Sequence, residues 1–185
     1  MKNLFNPFRY IAGTKALVLG VIFIISSGFM LYSNDMIQDS YVHIGLSDVA
    51  LWQVMAVQFV WWLIPAILLY AGGLMLSKSK IRIIDVLGTT AFSQLILIPM
   101  IAPMMLPVVK NGSQNVINAL LAAVRPETGD LMAVMLYGLW STLFLVLFYV
   151  WNYNAFATSC NIKGTKAIVY FIAVQVVVTI VGYIL

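Results

Sequence analysis

Charge is what this sequence has least of. Only 9% of its residues are Asp, Glu, Lys or Arg, against 63% hydrophobic. A soluble domain carries nearer 25% charged residues. A water-soluble fold of 185 residues would therefore have too few charges to coat its surface. The difficulty disappears if lipid is the solvent for most of that surface. Cysteine is almost missing as well, with Cys160 the only one. An intramolecular disulfide is excluded, and no Cys/His cluster could ligate zinc. Cys160 reads as a small filler near a membrane surface. Serine nucleophile elbows, HExxH, P-loops and paired carboxylates within one apolar run are absent. That argues against an enzyme, and no cofactor is implied. Asp85, beside Arg82, reads as half of a boundary ion pair. No charged residue or histidine lies in the middle of an apolar run, so a proton relay or charge-coupled pump lacks its usual parts.

What is there is a series of long apolar runs. A helix crossing a roughly 30 Å hydrocarbon layer needs about 20 mainly apolar residues. Five such spans can be drawn, at 16–33, 53–76, 86–108, 131–154 and 166–185. They are too long and unbroken for barrel strands, which are short and alternating. The expected fold is all-α, a polytopic membrane helical bundle in one domain, 1–185. The first run has Lys2, Arg9 and Lys15 ahead of it and no A-x-A site after it. It reads as an uncleaved signal anchor. Trp52 and the aromatic stretch FYVWNY (148–153) suit the interfacial belts of spans two and four.

The basic residues are unevenly placed. Lys2, Arg9, Lys15, Lys78, Lys80, Arg82, Lys163 and Lys166 fall in three loops on one side of the drawn topology. Lys110 and Arg125 fall on the other, with Asp35, Asp39, Asp48, Glu127 and Asp130. The positive-inside rule places the N-terminus in the cytoplasm and the C-terminus outside. The net charge of +4 is thus a topology signal. It is not the footprint of a nucleic-acid surface, because no continuous basic stretch exists.

A small polar tag, Gly-Thr-x-Ala, recurs at Gly13-Thr14, Gly88-Thr89 and Gly164-Thr165, at spacings of 75 and 76 residues. Each tag begins an odd-numbered span on the basic side. Thr caps helix starts, and Gly allows a tight turn ahead of them. MAV recurs near the starts of spans two and four, at Met55 and Met132. Together these suggest a parallel repeat of helix pairs, with span five as a half unit.

The segments NPFRYIAGTKAL, GGLMLSKSKIRIIDVLGTTAFSQ and WNYNAFATSCNIKGTKAIVYFI resemble bacterial members of the Yip1 family. The resemblance spans nearly the whole chain and implies five spans with a cytoplasmic N-terminus. Eukaryotic members add a long cytoplasmic region and a D-L-Y-G-P motif, and act with Rab GTPases in vesicle traffic. This chain shows neither feature, so that role is not carried over. The expected location is the bacterial cytoplasmic (inner) membrane. The implied function is a non-enzymatic one, organising membrane or scaffolding partner proteins.

Four groups of residues are candidate sites. Asp35, Asp39 and His43, spaced by four, share a face if their segment is helical. With Asp48 they could hold a divalent cation, but an exposed acidic loop obeying the positive-inside rule is the simpler reading, and no metal is expected. Pro99, Pro103 and Pro107 bend the third span and free carbonyls that must be satisfied. With Gln58, Gln94 and Gln175, and with Pro65 in span two, they could line the pore of a small-solute or ion transporter or channel, the alternative function. A bent packing helix with interhelical amide hydrogen bonds is the simpler reading of the same residues. Val116, Ile117, Leu120, Leu121 and Val124 share one face of a short outer helix, expected in the interface or over the bundle. Finally, Thr14, Thr89 and Thr165, with Lys15, Lys163 and Lys166, could gather into one cluster holding a phosphate of a lipid headgroup or a soluble anion. The partners implied are membrane lipids, anionic ones included. A homo-oligomer and a protein partner stay open.

Overall fold

In the computed structural model, residues 6–41 and 43–184 are described, with side chains as far as Gly182. Lys2, counted above, and Leu185, at the end of the fifth span, lie outside them. The chain forms helices α1 (Gly13–Tyr32), α2 (Leu51–Leu76), α3 (Ile83–Ser93), α4 (Leu97–Ile101), α5 (Pro107–Leu121), α6 (Thr128–Ser159) and α7 (Thr165–Ile184). Five segments are long and apolar enough to cross a membrane: Gly13–Tyr32, Leu51–Leu76, Ile83–Met105, Thr128–Ser159 and Thr165–Gly182. Their exterior is apolar, with Ile22, Phe29, Ile67, Leu139, Val169 and Ile180 all exposed. Their interior holds buried polar side chains such as Ser27, Gln58, Ser93, Asn152 and Gln175. A chain that buries amides and exposes isoleucines is built for an apolar solvent.

The spans alternate in direction. At one end Asn6 donates to Thr158 Oγ1 (3.4 Å) and Asn161 to Ser79 Oγ (3.1 Å). At the other, Lys110 pairs with Asp35 (2.9 Å) and Ser40 lies against Gly182. The first end carries Lys15, Lys78, Lys80, Lys163 and Lys166 and is called the basic end. The second is the acidic end.

The third span is central, with 61% of its most apolar window buried against 11–39% for the other four. Glycine lets the first span approach it. A Cβ on Gly20 would strike the backbone of Ala91 and Phe92, and one on Gly88 would lie 2.5 Å from the Gly13 carbonyl oxygen. This central span is not one bent helix. Its α3 segment gives way to a 3-10 turn at Gln94–Ile96, the short α4, and a second 3-10 turn at Ala102–Met105. It ends at Met105 rather than 108, because Leu106 is extended and Pro107 opens α5. Pro at the first turn of a helix costs nothing, since that N–H would be unbonded anyway.

Three further expectations are corrected. Asp35–His43 is not helical: β1 (Met36–Ile37) pairs antiparallel with β2 (Gly45–Leu46), Met36 opposite Leu46. The aromatic stretch 148–153 is no simple belt, since Phe148 and Trp151 are core residues and α6 runs on to Ser159. Of the five apolar residues expected on one face of α5, only Val116 turns inward; Ile117, Leu120 and Leu121 are exposed, and Val124 lies beyond the helix end.

Candidate functional site

The tags do different jobs. Gly13 and Gly164 have left-handed backbones (φ 60° and 90°), so both turn the chain into a helix as a glycine can. Thr14 does not cap: no side chain bonds the α1 start. The middle tag is not at a helix start, since α3 begins at Ile83. Gly88 is there for close approach to α1. Thr89 is buried, and its hydroxyl donates to the Asp85 carbonyl (2.7 Å) in its own helix. Thr14, Lys15, Lys163, Thr165 and Lys166 are all exposed, with Thr165 opening α7. Thr89 therefore cannot join them around a headgroup. Nor does Asp85 pair with Arg82. Its carboxylate stands beside Gly13 instead, 3.2 Å from where a Cβ would be. A negative charge at the start of α1 is favourable to the helix dipole, so the chain supplies this anion itself.

Cys160 lies at the same end, buried against Gly73, which Ile81 also approaches. Burial pushes its thiol up to about 11, although the Ser159 hydroxyl pulls the other way. The thiolate is the reactive form. At pH 7 the folded protein is expected to resist maleimide, reacting at least ~100-fold more slowly than the unfolded chain. Mass spectrometry before and after unfolding reads this directly.

Several hydroxyl, amide and indole side chains of the spans tie helices together. Ser27 Oγ donates towards Gln58 Oε1 (3.1 Å), Trp62 Nε1 to Thr90 Oγ1 (3.3 Å), and Ser93 Oγ towards Asn152 Oδ1 (3.1 Å). These bonds link spans one to two, two to three and three to four. Tyr170 Oη donates to the Leu68 carbonyl (2.8 Å) and joins span five to span two. Gln58 is thus a tie between helices, while Gln94 is buried where α3 gives way to the 3-10 turn.

The proline break has a specific partner. Pro103 has no N–H, so the Pro99 carbonyl loses its intrahelical donor. Trp140 Nε1 of the fourth span bonds it at 2.8 Å. In lipid no water can take over that role. Trp140→Phe is expected to lower stability by about 1–3 kcal/mol, while Trp52→Phe, at an exposed position, changes little. Melting of both variants in nanodiscs checks this.

Near the break, a cavity of about 180 Å³ is lined by His43, Met100, Tyr137, Ser141, Thr142 and Leu145. A second, of about 460 Å³, lies at the acidic end between Asp35, Ser47, Asp48, Lys110 and Gln114. The acidic residues do not converge. Asp39 pairs with His43 (2.7 Å), while Asp35, with φ 55°, turns to Lys110. Among the described residues no three His, Cys, Asp or Glu side chains are grouped to hold a metal.

Two aromatic wedges, missed in the sequence, enter the bundle from its ends. Phe8 is buried edge-on to Phe92 and Trp151, with centroids 6.2 and 5.8 Å away. Tyr41 is buried against Phe148, with centroids 5.6 Å apart. Their partners Phe148 and Trp151 lie one turn apart on α6. Burial holds the Tyr41 phenol far above its ordinary pKa, helped by Tyr149 and opposed by the Gln175 amide. It stays neutral at any working pH. The chain matches no protein-family model, no curated protein and no solved structure.

Proposed function

We propose that this chain is a non-enzymatic, Yip1-type protein of the bacterial cytoplasmic membrane, organising membrane or scaffolding partner proteins. The carrying observation is the way the bundle interior is filled. Aromatic wedges enter from both ends, and Ser27, Gln58, Ser93 and Asn152 form ties between helices. A scaffold needs such a stiff body, with its lipid-facing surface left for neighbours. In this reading the basic end is cytoplasmic. The exposed Lys15, Lys163 and Lys166 then face anionic headgroups, each contributing about 1 kcal/mol.

Single cysteines at Asn3, Ser79, Ser113 and the C-terminus, in a Cys160→Ala background, test the orientation. Positions 3 and 79 should label from the cytoplasm, and 113 and the C-terminus from outside. Labelling of 3 and 113 from one side overturns the topology. The scaffold reading itself expects purified proteoliposomes to pass no small solute.

A transporter is the second reading, favoured by the cavity that reaches Met100 in the broken third span. It expects solute flux that disappears in Gln94→Leu.

A further inference from the structure

The cavity beside the broken third span has the size and lining of a site for one aromatic ring. It holds about 180 Å³, and an apolar cavity of about 150 Å³ takes up a benzene molecule. Ile44, Met100 and Leu145 give it an apolar lining. Met100 is 5% exposed, and a thioether is a favourable neighbour for an aromatic ring. The spacing of its walls is fixed by a bond already described. Met100 follows Pro99 in the third span, and Ser141 follows Trp140 in α6. The Trp140–Pro99 bond (2.8 Å) therefore holds the two sides of the cavity in register.

The polar groups of the lining are mostly acceptors. Ser141 and Thr142 spend their hydroxyl hydrogens on the Gly138 carbonyl (3.1 and 2.7 Å), which leaves their oxygen lone pairs. His43 stands at the rim, its side chain 62% exposed, and its Nδ1 bonds Asp39 Oδ1 at 2.7 Å. A carboxylate there keeps the proton on Nδ1, so the neutral ring offers Nε2 as an acceptor. Gly45 leaves room for the pair, since a Cβ on it would stand 3.0 Å from Asp39 Oδ2. Tyr137 adds a hydroxyl that can donate in return. No Asp, Glu, Lys or Arg is among the described residues that line the cavity, so a bare ion has no direct partner there.

From this geometry we infer that the cavity binds a phenol, with its ring against Met100 and Leu145 and its hydroxyl donating to His43 Nε2. The head of a membrane quinol and a free phenol share this chemistry. The site goes beyond the scaffold reading, because binding here requires neither flux nor catalysis.

The test is calorimetric titration of full-length protein in nanodiscs, with the signal of empty nanodiscs subtracted. The probes are p-cresol and a quinol with an isoprenoid tail, kept reduced. At least one should bind saturably. Its methyl ether, with every hydroxyl capped, keeps the ring and oxygen but has no O–H. It should bind at least ~10-fold more weakly, as the loss of one hydrogen bond implies. His43→Phe, which keeps a ring at an exposed position, should weaken binding by a similar factor. A quinol that binds at least ~10-fold tighter than p-cresol assigns the site to the membrane quinol, and a smaller difference assigns it to free phenols. No saturable binding of either probe overturns the site. So does a methyl ether that binds as well as its parent, a comparison made on the wild type and independent of whether the variant folds. A folded His43→Phe protein that binds like the wild type overturns it too.

Discussion

Gly20→Leu is expected to leave little folded protein. The cause is local to one crossing. The first span meets the third through Gly20, and a Cβ there would meet the carbonyl carbon and Cβ of Ala91 and the amide nitrogen of Phe92. Two of these are backbone atoms of the most buried span and cannot swing aside as a side-chain tip can. Helices in membranes associate largely by such close backbone approach, with no hydrophobic drive to replace it. Overpacking typically costs about 1–3 kcal/mol and sometimes more, and leucine adds several heavy atoms where one does not fit. Separating α1 from α3 would also pull Gly13 from Gly88, because both contacts lie on one interface. Gly138→Leu is the control: a Cβ there meets nothing within 4 Å, so its expected effect is within about 0.5 kcal/mol. Size-exclusion profiles and melting curves of the two variants, in the same detergent, decide the matter. Equal behaviour would mean that the α1–α3 crossing is looser than described.

The spans were legible in the sequence because their signal is one-dimensional. A run of apolar residues without charge needs no knowledge of neighbours, and each of the five was placed within a few residues. Tertiary roles were not legible in the same way. The string Gly-Thr-x-Ala looks identical whether its glycine starts a helix, as at Gly13, or admits another backbone, as at Gly88. Only the partner helix tells them apart. FYVWNY reads as a belt because aromatics favour interfaces, yet Phe148 and Trp151 turn inward to meet wedges from residues far away in the chain. The acidic spacing at Asp35, Asp39 and His43 matched a helix face, but a left-handed Asp35 and a two-residue strand put them on a hairpin. Polar side chains deep in apolar runs seek partners across helices. Interhelical amide bonding, the simpler reading of the Gln residues, holds at Gln58, which Ser27 bonds. Asn152 carries the same signal and meets Ser93.

Phe8→Ala is expected to produce the other large loss, at a place the hydropathy pattern leaves out. Phe8 precedes the first span, in a 3-10 turn at Pro7–Arg9. Its ring is 1% exposed and stands edge-on to Phe92 and Trp151, which stack on each other at 5.9 Å. Edge-to-face rings contribute about 0.5–1.5 kcal/mol per pair beyond their buried area. Truncating a core phenylalanine costs about 3–5 kcal/mol in total, much of it from the cavity left behind. Here the cavity would open at the basic end, where Asn6 bonds Thr158. Among the described residues the turn is held mainly by this bond and the Phe8 ring, with Ile11 packed beside it, so the turn should loosen as well. Phe8→Leu keeps much of the volume and should lose less than half as much. The measurements are melting temperature and proteolytic cleavage at Arg9, exposed in both states but cut faster once the turn is released. If Phe8→Ala melts with the wild type, the turn at Pro7–Arg9 only lies on the bundle, and the basic end is closed without Phe8.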